Sequence, residues 1–323
     1  MINLQESLDI INREIQTIQY PQNPAGLYEP IAYLLAMKGK KIRPALTLLA
    51  CNLYRDDVET AIRPALAWEI FHNFTLMHDD VMDKADLRRG QPTVHKKWNE
   101  NAAILSGDAT LILSYVFMTD SAMENLKPLL DLFSTTAAEI CEGQQYDMEF
   151  ERRTDVSEQE YIEMIRLKTA VMFGACFKTG AIIGGADKKD LQNLYDFGIN
   201  LGIAFQIKDD LLDVYGNPGV FGKKTGGDIL CNKKTYLLIN ALNRADKPER
   251  ENLLHWLGRN DNPQEKIIVV RNIYDRLAIP DIANASIQVF YEKALMAFHA
   301  ISVSESRKEI LKDVAKDIIE REF

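Results

Sequence analysis

The chain is organised around a segment in which an apolar helical run ends in three carboxylates. Residues 71–83 read FHNFTLMHDDVMD. On a helix, Asp79 and Asp83 lie one turn apart on one face, with Asp80 about 100° round from Asp79. Carboxylates this close repel one another unless a cation lies among them or water solvates each one. With no cysteine nearby, oxygen ligands favour a hard cation, Mg²⁺ first and Mn²⁺ as a substitute. The segment predicts a magnesium site or, alternatively, a solvated acidic helix end.

A second copy of the pattern favours the metal site. Residues 205–213 read FQIKDDLLD, again with two adjacent aspartates and a third four residues after the first. Carboxylates that project inward from facing helices are a common way to build a metal site in a helical bundle. We therefore expect a metal cluster between two antiparallel helices, completed by a polyphosphate ligand. The carboxylates of this second box are Asp209, Asp210 and Asp213.

The rest of the chain predicts an all-α fold. Apolar residues recur at spacings of three and four, and no alternating valine- or threonine-rich strand is present. No linker-like stretch divides the sequence, so we expect one domain over residues 1–323, a single large antiparallel helical bundle with a central hydrophobic pocket. Ser157 and Glu160 predict a capping box that opens a long helix. Most prolines, Pro30 and Pro128 among them, are expected where helices begin or end, and Pro64 is expected in the first turn of the helix that runs on to Asp83.

The net charge and composition of the chain exclude several classes of binding partner. The net charge of −9 argues against nucleic acid or an anionic membrane, and 46% hydrophobic residues can bury a substantial core. The N-terminus lacks a signal-like pattern, and no uncharged run approaches the length of an integral membrane segment. Four separated cysteines form no CxxC pair, which argues against a zinc site or a disulfide framework. We expect a soluble, cytoplasmic protein.

Basic residues around the first box suit an anionic ligand. Residues 39–44, GKKIRP, place three cations before a proline that can start a helix. Lysine supplies a point charge, and arginine a planar fork for two contacts. His72 lies two turns before Asp79 and can donate a hydrogen bond to a diphosphate. The alternatives are a solvated basic turn and a satisfied core histidine. The candidate cations are Lys40, Arg43, Arg88 and Arg89.

Further candidates lie in the second half of the chain. Lys168 occupies an apolar position of the helix after Ser157, so it either snorkels or has an anionic partner. Gln144 and Asp147 end another helix. A glycine-rich cationic loop follows the second box and leads into a new helix, an arrangement that suits phosphate oxygens. Its candidate residues are Lys223 and Lys233.

The combination of motifs resembles the all-trans isoprenyl diphosphate synthases, or polyprenyl synthetases, over roughly residues 35–240. The matching elements in chain order are GKKIRP, Glu69 to His72, DDxxD with the trailing LRRGQPTVH, Gly107-Asp108, EGQ at 142–144, Lys168-Thr169, FQIKDDLLD, GKKTGGD and KKT. One departure is Lys38, which stands where the family often has a glycine.

The resemblance implies a fold of the isoprenoid synthase type and a head-to-tail condensation of isopentenyl diphosphate with an allylic diphosphate (dimethylallyl, geranyl or farnesyl). It implies Mg²⁺ ligands at Asp79, Asp83 and Asp209, with Asp80, Asp210 and Asp213 supporting them. Arg88, Lys168, Thr169, Gln206, Lys223 and Lys233 correspond to the allylic diphosphate site. Lys40, Arg43, His72 and Arg89 correspond to the isopentenyl diphosphate site. A homodimer is expected on the same basis.

The residues beneath Asp79 are expected to set product length, because one helical turn of ~5.4 Å is comparable with an isoprene unit. Phe71, Phe74 and Thr75 lie eight, five and four residues upstream. Within the resembled family, this pattern favours geranylgeranyl over farnesyl diphosphate as the product.

Several alternatives remain open at this point. They are a longer-chain polyprenyl diphosphate synthase, a class I terpene cyclase, a His-Asp phosphohydrolase and a non-catalytic partner subunit. A cyclase usually carries Asn, Ser and Glu in its second site, whereas this chain has DDLLD. Both intact boxes argue against a non-catalytic subunit.

Overall fold

The structure is a computed structural model that describes residues 1–216, 225–259 and 261–320. Most of these residues are helical, which confirms the all-α prediction. In chain order the helices are α1 (Leu4–Thr17), α2 (Ala25–Ala36), α3 (Ile42–Asn52), α4 (Glu59–Met82), α5 (Val94–Lys97), α6 (Glu100–Thr119), α7 (Met123–Phe150), α8 (Glu158–Ile165), α9 (Val171–Gly184), α10 (Lys188–Tyr215), α11 (Gly227–Leu230), α12 (Tyr236–Arg244), α13 (Lys247–Leu257), α14 (Pro263–Arg276), α15 (Ile279–His299) and α16 (Glu305–Glu320).

A two-stranded hairpin is the only sheet in the described part of the chain. Strand β1 (Leu87–Arg88) pairs antiparallel with β2 (Gln91–Pro92). Arg89 and Gly90 connect the strands, with φ of 53° and 76°. Positive φ at both central residues is typical of the tight turn that matches strand twist. The turn directly follows the first aspartate box, and the sequence analysis did not predict it.

Residue contacts divide the chain into two units. One unit comprises residues 1–134, 175–192 and 302–311; the other comprises residues 135–174, 193–301 and those from 312 onward. The single-domain interpretation stays a prediction, as does the central pocket.

Helices α3, α4 and α6 form the core of the first unit. All residues of α3 from Pro44 to Asn52 are buried, and the α4 side chains Trp68 and Phe71 have no exposed surface. Trp68 Nε1 donates to Thr179 Oγ1 at 3.0 Å. Gly180 packs directly on the Thr47 carbonyl oxygen, in a space where a Cβ would overlap that oxygen.

Helices α10, α14 and α15 contribute to the core of the second unit. Leu194, Phe197 and Leu201 on α10 are fully buried, and Phe197 stacks on Phe298 of α15 with ring centroids 4.8 Å apart. The predicted capping box is confirmed. Ser157 Oγ accepts from the Glu160 amide, and the Glu160 carboxylate accepts from the Ser157 amide.

Three prolines lie deeper in helices than predicted. Pro30, Pro64 and Pro128 each lie inside a helix, at its sixth residue in α2, α4 and α7. A proline there removes one backbone hydrogen bond near the start of the helix and leaves the later turns intact. The expectation that they mark helix boundaries or first turns is therefore wrong by about one turn.

In the described part of the chain, two helical stretches are long and apolar enough, by length and composition, to cross a membrane. An 18-residue window of Glu158–Gly184 is 78% buried within the structure, as expected of a core helix, whereas the corresponding window of α6 is 39% buried. The exposed apolar residues of α6 are Ile104, Leu105, Ile112 and Val116.

Candidate active site

The first aspartate box ends α4 with carboxylates of unequal exposure. Asp83 caps the helix, and its amide donates to the Asp79 carbonyl at 2.8 Å. Asp83 is exposed and Asp79 is partly buried, whereas Asp80 is only 2% exposed. The prediction that this box closes an apolar helix is confirmed.

Arg88 holds the buried middle carboxylate of this box. Arg88 Nε donates to both oxygens of Asp80, at 2.9 and 2.8 Å, and Nη2 lies 2.7 Å from Oδ1. The β1–β2 hairpin brings Arg88 back against the end of α4. The carboxylate therefore faces a guanidinium, which leaves Asp79 and Asp83 as the more accessible carboxylates of the box.

The cations predicted to bind isopentenyl diphosphate gather around the start of α3. Arg43 Nη1 lies 3.4 Å from His72 Nε2. A Cβ added at Gly39 would lie 2.7 Å from Arg89 Cζ and Nη1, so a larger residue here would displace the Arg89 guanidinium from its present position. Lys40 is exposed, and Lys41 begins α3 with a φ of 45°. The predicted basic turn therefore lies against His72 of α4 and Arg89 of the hairpin, without a positive φ at Gly39.

A buried glutamate lies near these cations. Glu69 is 3% exposed, and Asn73 Nδ2 donates to its Oε1 at 3.2 Å. Burial raises the pKa of Glu69, while Arg89, Arg43 and Lys41 oppose that rise. A carboxylate here lowers the mutual repulsion of the two arginines.

His72 is a neutral ring in this setting. Burial, followed by the charges of Arg43, Arg89 and Arg88, lowers the pKa of His72 well below its usual 6.5. Since Arg43 can only donate, His72 Nε2 is the acceptor of this contact. The other ring nitrogen, Nδ1, then carries the hydrogen.

The predicted product-length residues lie on α4 in an aromatic cluster. Phe71 has no exposed surface, and its ring centroid lies 5.5 Å from that of Phe74 and 5.2 Å from that of Phe133. Phe74 is partly buried and also contacts His78, at 4.8 Å between centroids. Thr75 Oγ1 donates to the His72 carbonyl at 2.8 Å.

The second aspartate box also has a buried middle carboxylate. Asp210 is 3% exposed and accepts from the Tyr161 hydroxyl, from Gln206 Nε2 at 3.1 Å and from the Tyr236 amide at 2.8 Å. Burial and the nearby Asp228 raise the pKa of Asp210 to about 7, and the hydrogen bonds from Tyr161 and Tyr236 oppose the rise. The two boxes thus share one pattern of burial.

The remaining carboxylates of the second box are less buried. Asp209 and Asp213 are both of intermediate exposure. Asp213 Oδ2 accepts from the Asp228 amide at 2.9 Å and so fixes the start of α11. Lys233 is exposed just before α12. The predicted site residue Lys223 lies outside the described residues.

Lys168 has an anionic partner. Lys168 Nζ lies 2.6 Å from Asp147 Oδ2, with both side chains largely buried. The lysine lies in a π-helical turn, Arg166–Ala170, which separates α8 from α9. Such turns shift the helical register and often occur at functional sites. A Cβ at Gly143 of the EGQ segment would overlap the Lys168 amide nitrogen, so this glycine allows α7 to pack on the turn.

The polar contacts of two buried residues, Tyr161 and Lys266, were not anticipated from the sequence. Tyr161 was counted only as part of an apolar stripe, although its hydroxyl contacts Asp210. Lys266 is 1% exposed, and its Nζ donates to Asn232 Oδ1 at 2.7 Å and to the Arg259 carbonyl at 3.2 Å. A charged residue at a buried helical position is the signal that could have indicated Lys266.

The donor set suits a hard divalent cation. Among the residues that the structure describes, no three His, Cys, Asp or Glu side chains converge to hold a metal ion by themselves. Mg²⁺ keeps several waters and binds through one or two carboxylates together with substrate phosphates, so it does not need such a cluster. Asp79 and Asp83, with oxygen donors only, fit this requirement.

An all-α chain with two aspartate boxes, each accompanied by cations, has the makeup of a helical enzyme that acts on diphosphates. The sequence model of the family described as polyprenyl synthetase matches residues 24–276. The chain is 38% identical to a short chain isoprenyl diphosphate synthase of Methanothermobacter thermautotrophicus, covering 93% of this chain and 91% of the relative. It is 35% identical to a geranylgeranyl pyrophosphate synthase of Geoglobus acetivorans, covering 99% and 98%. A crystal structure of a geranylgeranyl pyrophosphate synthase superposes with a TM-score of 0.94 at 40% identity, covering 100% of both chains.

The chain belongs to the polyprenyl synthetase family. The resemblance deduced from the motifs is therefore confirmed, and the terpene cyclase and phosphohydrolase alternatives are not favoured.

Proposed function

We propose that this protein is a short-chain trans-prenyltransferase that condenses isopentenyl diphosphate with allylic diphosphates and releases diphosphate. The observation that carries the proposal is the arrangement around the first box. There, two accessible carboxylates, Asp79 and Asp83, end a helix beside a separate cluster of Arg43, Arg89 and neutral His72. Such an arrangement provides separate contacts for a metal-bound diphosphate and for a second diphosphate.

Asp79, Asp83 and Asp209 are the residues that would hold Mg²⁺, with Mn²⁺ as a substitute. When bound, the metal stabilises charge on the departing diphosphate. Arg88, Lys168, Thr169, Gln206, Lys223 and Lys233 would bind the allylic diphosphate, and Lys40, Arg43, His72 and Arg89 would bind isopentenyl diphosphate. Fixed cations and hydrogen-bond donors of this kind stabilise the charge that develops as the carbon–oxygen bond of the allylic substrate breaks. The double bond of isopentenyl diphosphate is the nucleophile, and the released diphosphate is the proton acceptor.

Phe71, Phe74 and Thr75 would limit the length of the product, and geranylgeranyl diphosphate is the proposed product ahead of farnesyl diphosphate. The support is the partly buried position of Phe74 between the fully buried Phe71 and His78, five residues before Asp79. An aromatic ring at this point can close the space below the metal-binding end of α4.

A homodimer is part of the proposal, and it is supported by the surface of α6. Ile104, Leu105, Ile112 and Val116 are between 46% and 66% exposed on one helix. Apolar side chains that cluster on a helix surface mark an interaction site. A second copy is the proposed occupant, because the charge of −9 disfavours an anionic membrane. Four thiols without a disulfide agree with a cytoplasmic location.

The test of activity is incubation with Mg²⁺, isopentenyl diphosphate and each allylic primer, followed by mass spectrometry of the products. Asp79→Asn is expected to lose extension. Asp131→Asn, at an exposed aspartate paired with Lys127, serves as a matched control that retains it. Chelation should abolish extension, and Mg²⁺ or Mn²⁺ should restore it. Failure of the wild-type protein to extend any primer would refute the proposal.

The test of the dimer is sedimentation equilibrium. Ile112→Glu is expected to shift the wild-type dimer to a monomer, whereas Val289→Glu, at an exposed site on α15, should leave it dimeric. A monomeric wild-type protein would refute the dimer, as would co-sedimentation of that monomer with lipid vesicles through α6.

A further inference from the structure

A chain of hydrogen bonds fixes the side chain of Gln206 in the second unit. Thr169 Oγ1 donates to Gln206 Oε1 at 3.0 Å, and Gln206 Nε2 donates to Asp210 Oδ1 at 3.1 Å, one turn further along α10. Asp210 accepts hydrogen bonds at both of its oxygens, so it takes the NH₂ end of the Gln206 amide, and the amide oxygen then faces the threonine. The hydrogen bond to Asp210 therefore fixes the orientation of the Gln206 amide.

The other oxygen of Asp210 is also fixed. Asp210 Oδ2 accepts from the Tyr161 hydroxyl of α8 and from the Tyr236 amide at the first residue of α12. Tyr161 is 2% exposed, and its ring packs edge to face on that of Tyr236. The phenol is held in place from both sides, so its hydroxyl is a preformed donor to the carboxylate.

Two candidate diphosphate-binding positions depend on this carboxylate. One amide hydrogen of Gln206 is used by Asp210, and the second is available for an anionic oxygen. The bond from the Tyr236 amide ties the start of α12 to α10, and Lys233 lies three residues before Tyr236. Rotation of Asp210 would release both constraints.

We infer that Tyr161 is a positioning residue, which acts through Asp210 to orient Gln206 and the segment of Lys233 for the allylic diphosphate. The inference rests on the proposed function. Asp210, the middle aspartate of the second box, then forms hydrogen bonds within the protein, and Tyr161 acts on the site without contacting the substrate.

The test is steady-state kinetics of Tyr161→Phe with Mg²⁺, varying geranyl diphosphate at saturating isopentenyl diphosphate and then the reverse. Loss of one buried hydrogen bond to a charged group should raise KM for geranyl diphosphate about tenfold. KM for isopentenyl diphosphate should stay within about twofold, because its candidate site does not include Asp210.

Tyr54→Phe is the matched control. Tyr54 also donates its hydroxyl to a buried aspartate, Asp190, at 3.0 Å. Both variants should lose stability, but only Tyr161→Phe should change KM for the allylic substrate. An unchanged KM in Tyr161→Phe, with a loss of stability like that of Tyr54→Phe, would show a purely structural role and overturn the inference.

The Thr169 end of this hydrogen-bond chain gives a second test. Tyr161→Phe and Thr169→Val should each raise KM for geranyl diphosphate, and the two increases should not add in the double variant, because both act through the Gln206 amide. Additive increases would overturn the inference, because Thr169 would then act by its own contact with the allylic substrate. An inactive wild-type protein would instead refute the proposed function, so the two failures are distinguishable.

Discussion

Breaking the Asp80–Arg88 ion pair should destabilise the protein far more than breaking an exposed pair of the same chemistry. Asp80 is 2% exposed and receives two different nitrogens of Arg88, both within 2.9 Å. A hydrogen bond to a charged group contributes about 1.5–3 kcal/mol, and loss of one partner leaves the other charge buried. We expect a coupling energy of about 2–3 kcal/mol between the two side chains.

The measurement is a double-mutant cycle of Asp80→Ala and Arg88→Met, followed by urea unfolding in the absence of divalent cations. The control cycle is Asp120→Ala with Arg63→Met. Arg63 Nε lies 2.9 Å from Asp120 Oδ2, but the two side chains are 43% and 63% exposed. Exposed pairs contribute about 0.2–1 kcal/mol. A coupling energy for Asp80 and Arg88 no larger than that of the control would refute the claim that burial strengthens this ion pair.

Three further predictions concern packing, protonation and product length. Gly180→Ala should lower the free energy of unfolding by about 2 kcal/mol, because its Cβ would overlap a backbone oxygen that cannot move aside. Gly26→Ala, with nothing within 4 Å, should stabilise by about 0.5 kcal/mol, and an equal loss in both variants would contradict the packing argument. The folded-state pKa of His72 is lowered, so the unfolded state takes up the extra proton and stability falls as pH drops below 6.5. His72→Gln should reduce that slope by up to about 1.4 kcal/mol per pH unit between pH 6.5 and 5, and an unchanged urea-unfolding slope would exclude a neutral His72. Phe74→Ala should lengthen the product, and an unchanged product distribution by mass spectrometry would exclude Phe74 as a length determinant.

The features predicted correctly from the sequence are those set by neighbours within a few residues. The capping box at Ser157 depends on a side chain three residues away, and the end of α4 at Asp83 follows from an apolar run that turns acidic. Helical periodicity likewise predicts the all-α fold. Such signals lie in consecutive residues, so no knowledge of tertiary contacts is needed to read them.

The features that sequence reasoning missed depend on residues far apart in the chain. Tyr161 and Asp210 are 49 residues apart, and Lys266 and Asn232 are 34 apart. Local pattern describes Tyr161 as one more apolar residue of a stripe, because its ring is indeed buried. Its hydroxyl acquires a role only through the packing of α8 and α10 within the second unit. The π-helical turn at Lys168 was missed for a different reason, because one extra residue in a helix leaves no compositional mark.

The unequal burial within each aspartate box follows from helical geometry. The first and fifth residues of DDxxD share a face, while the second lies about 100° away. On a helix packed on one side, that rotation turns the second carboxylate toward the interior, where a charge must find donors within the protein. Asp80 forms an ion pair with Arg88, and Asp210 accepts hydrogen bonds from Tyr161 and Gln206. A box of this form therefore divides its carboxylates by position, with an accessible pair suited to a cation and a buried one that orients the side chains around it.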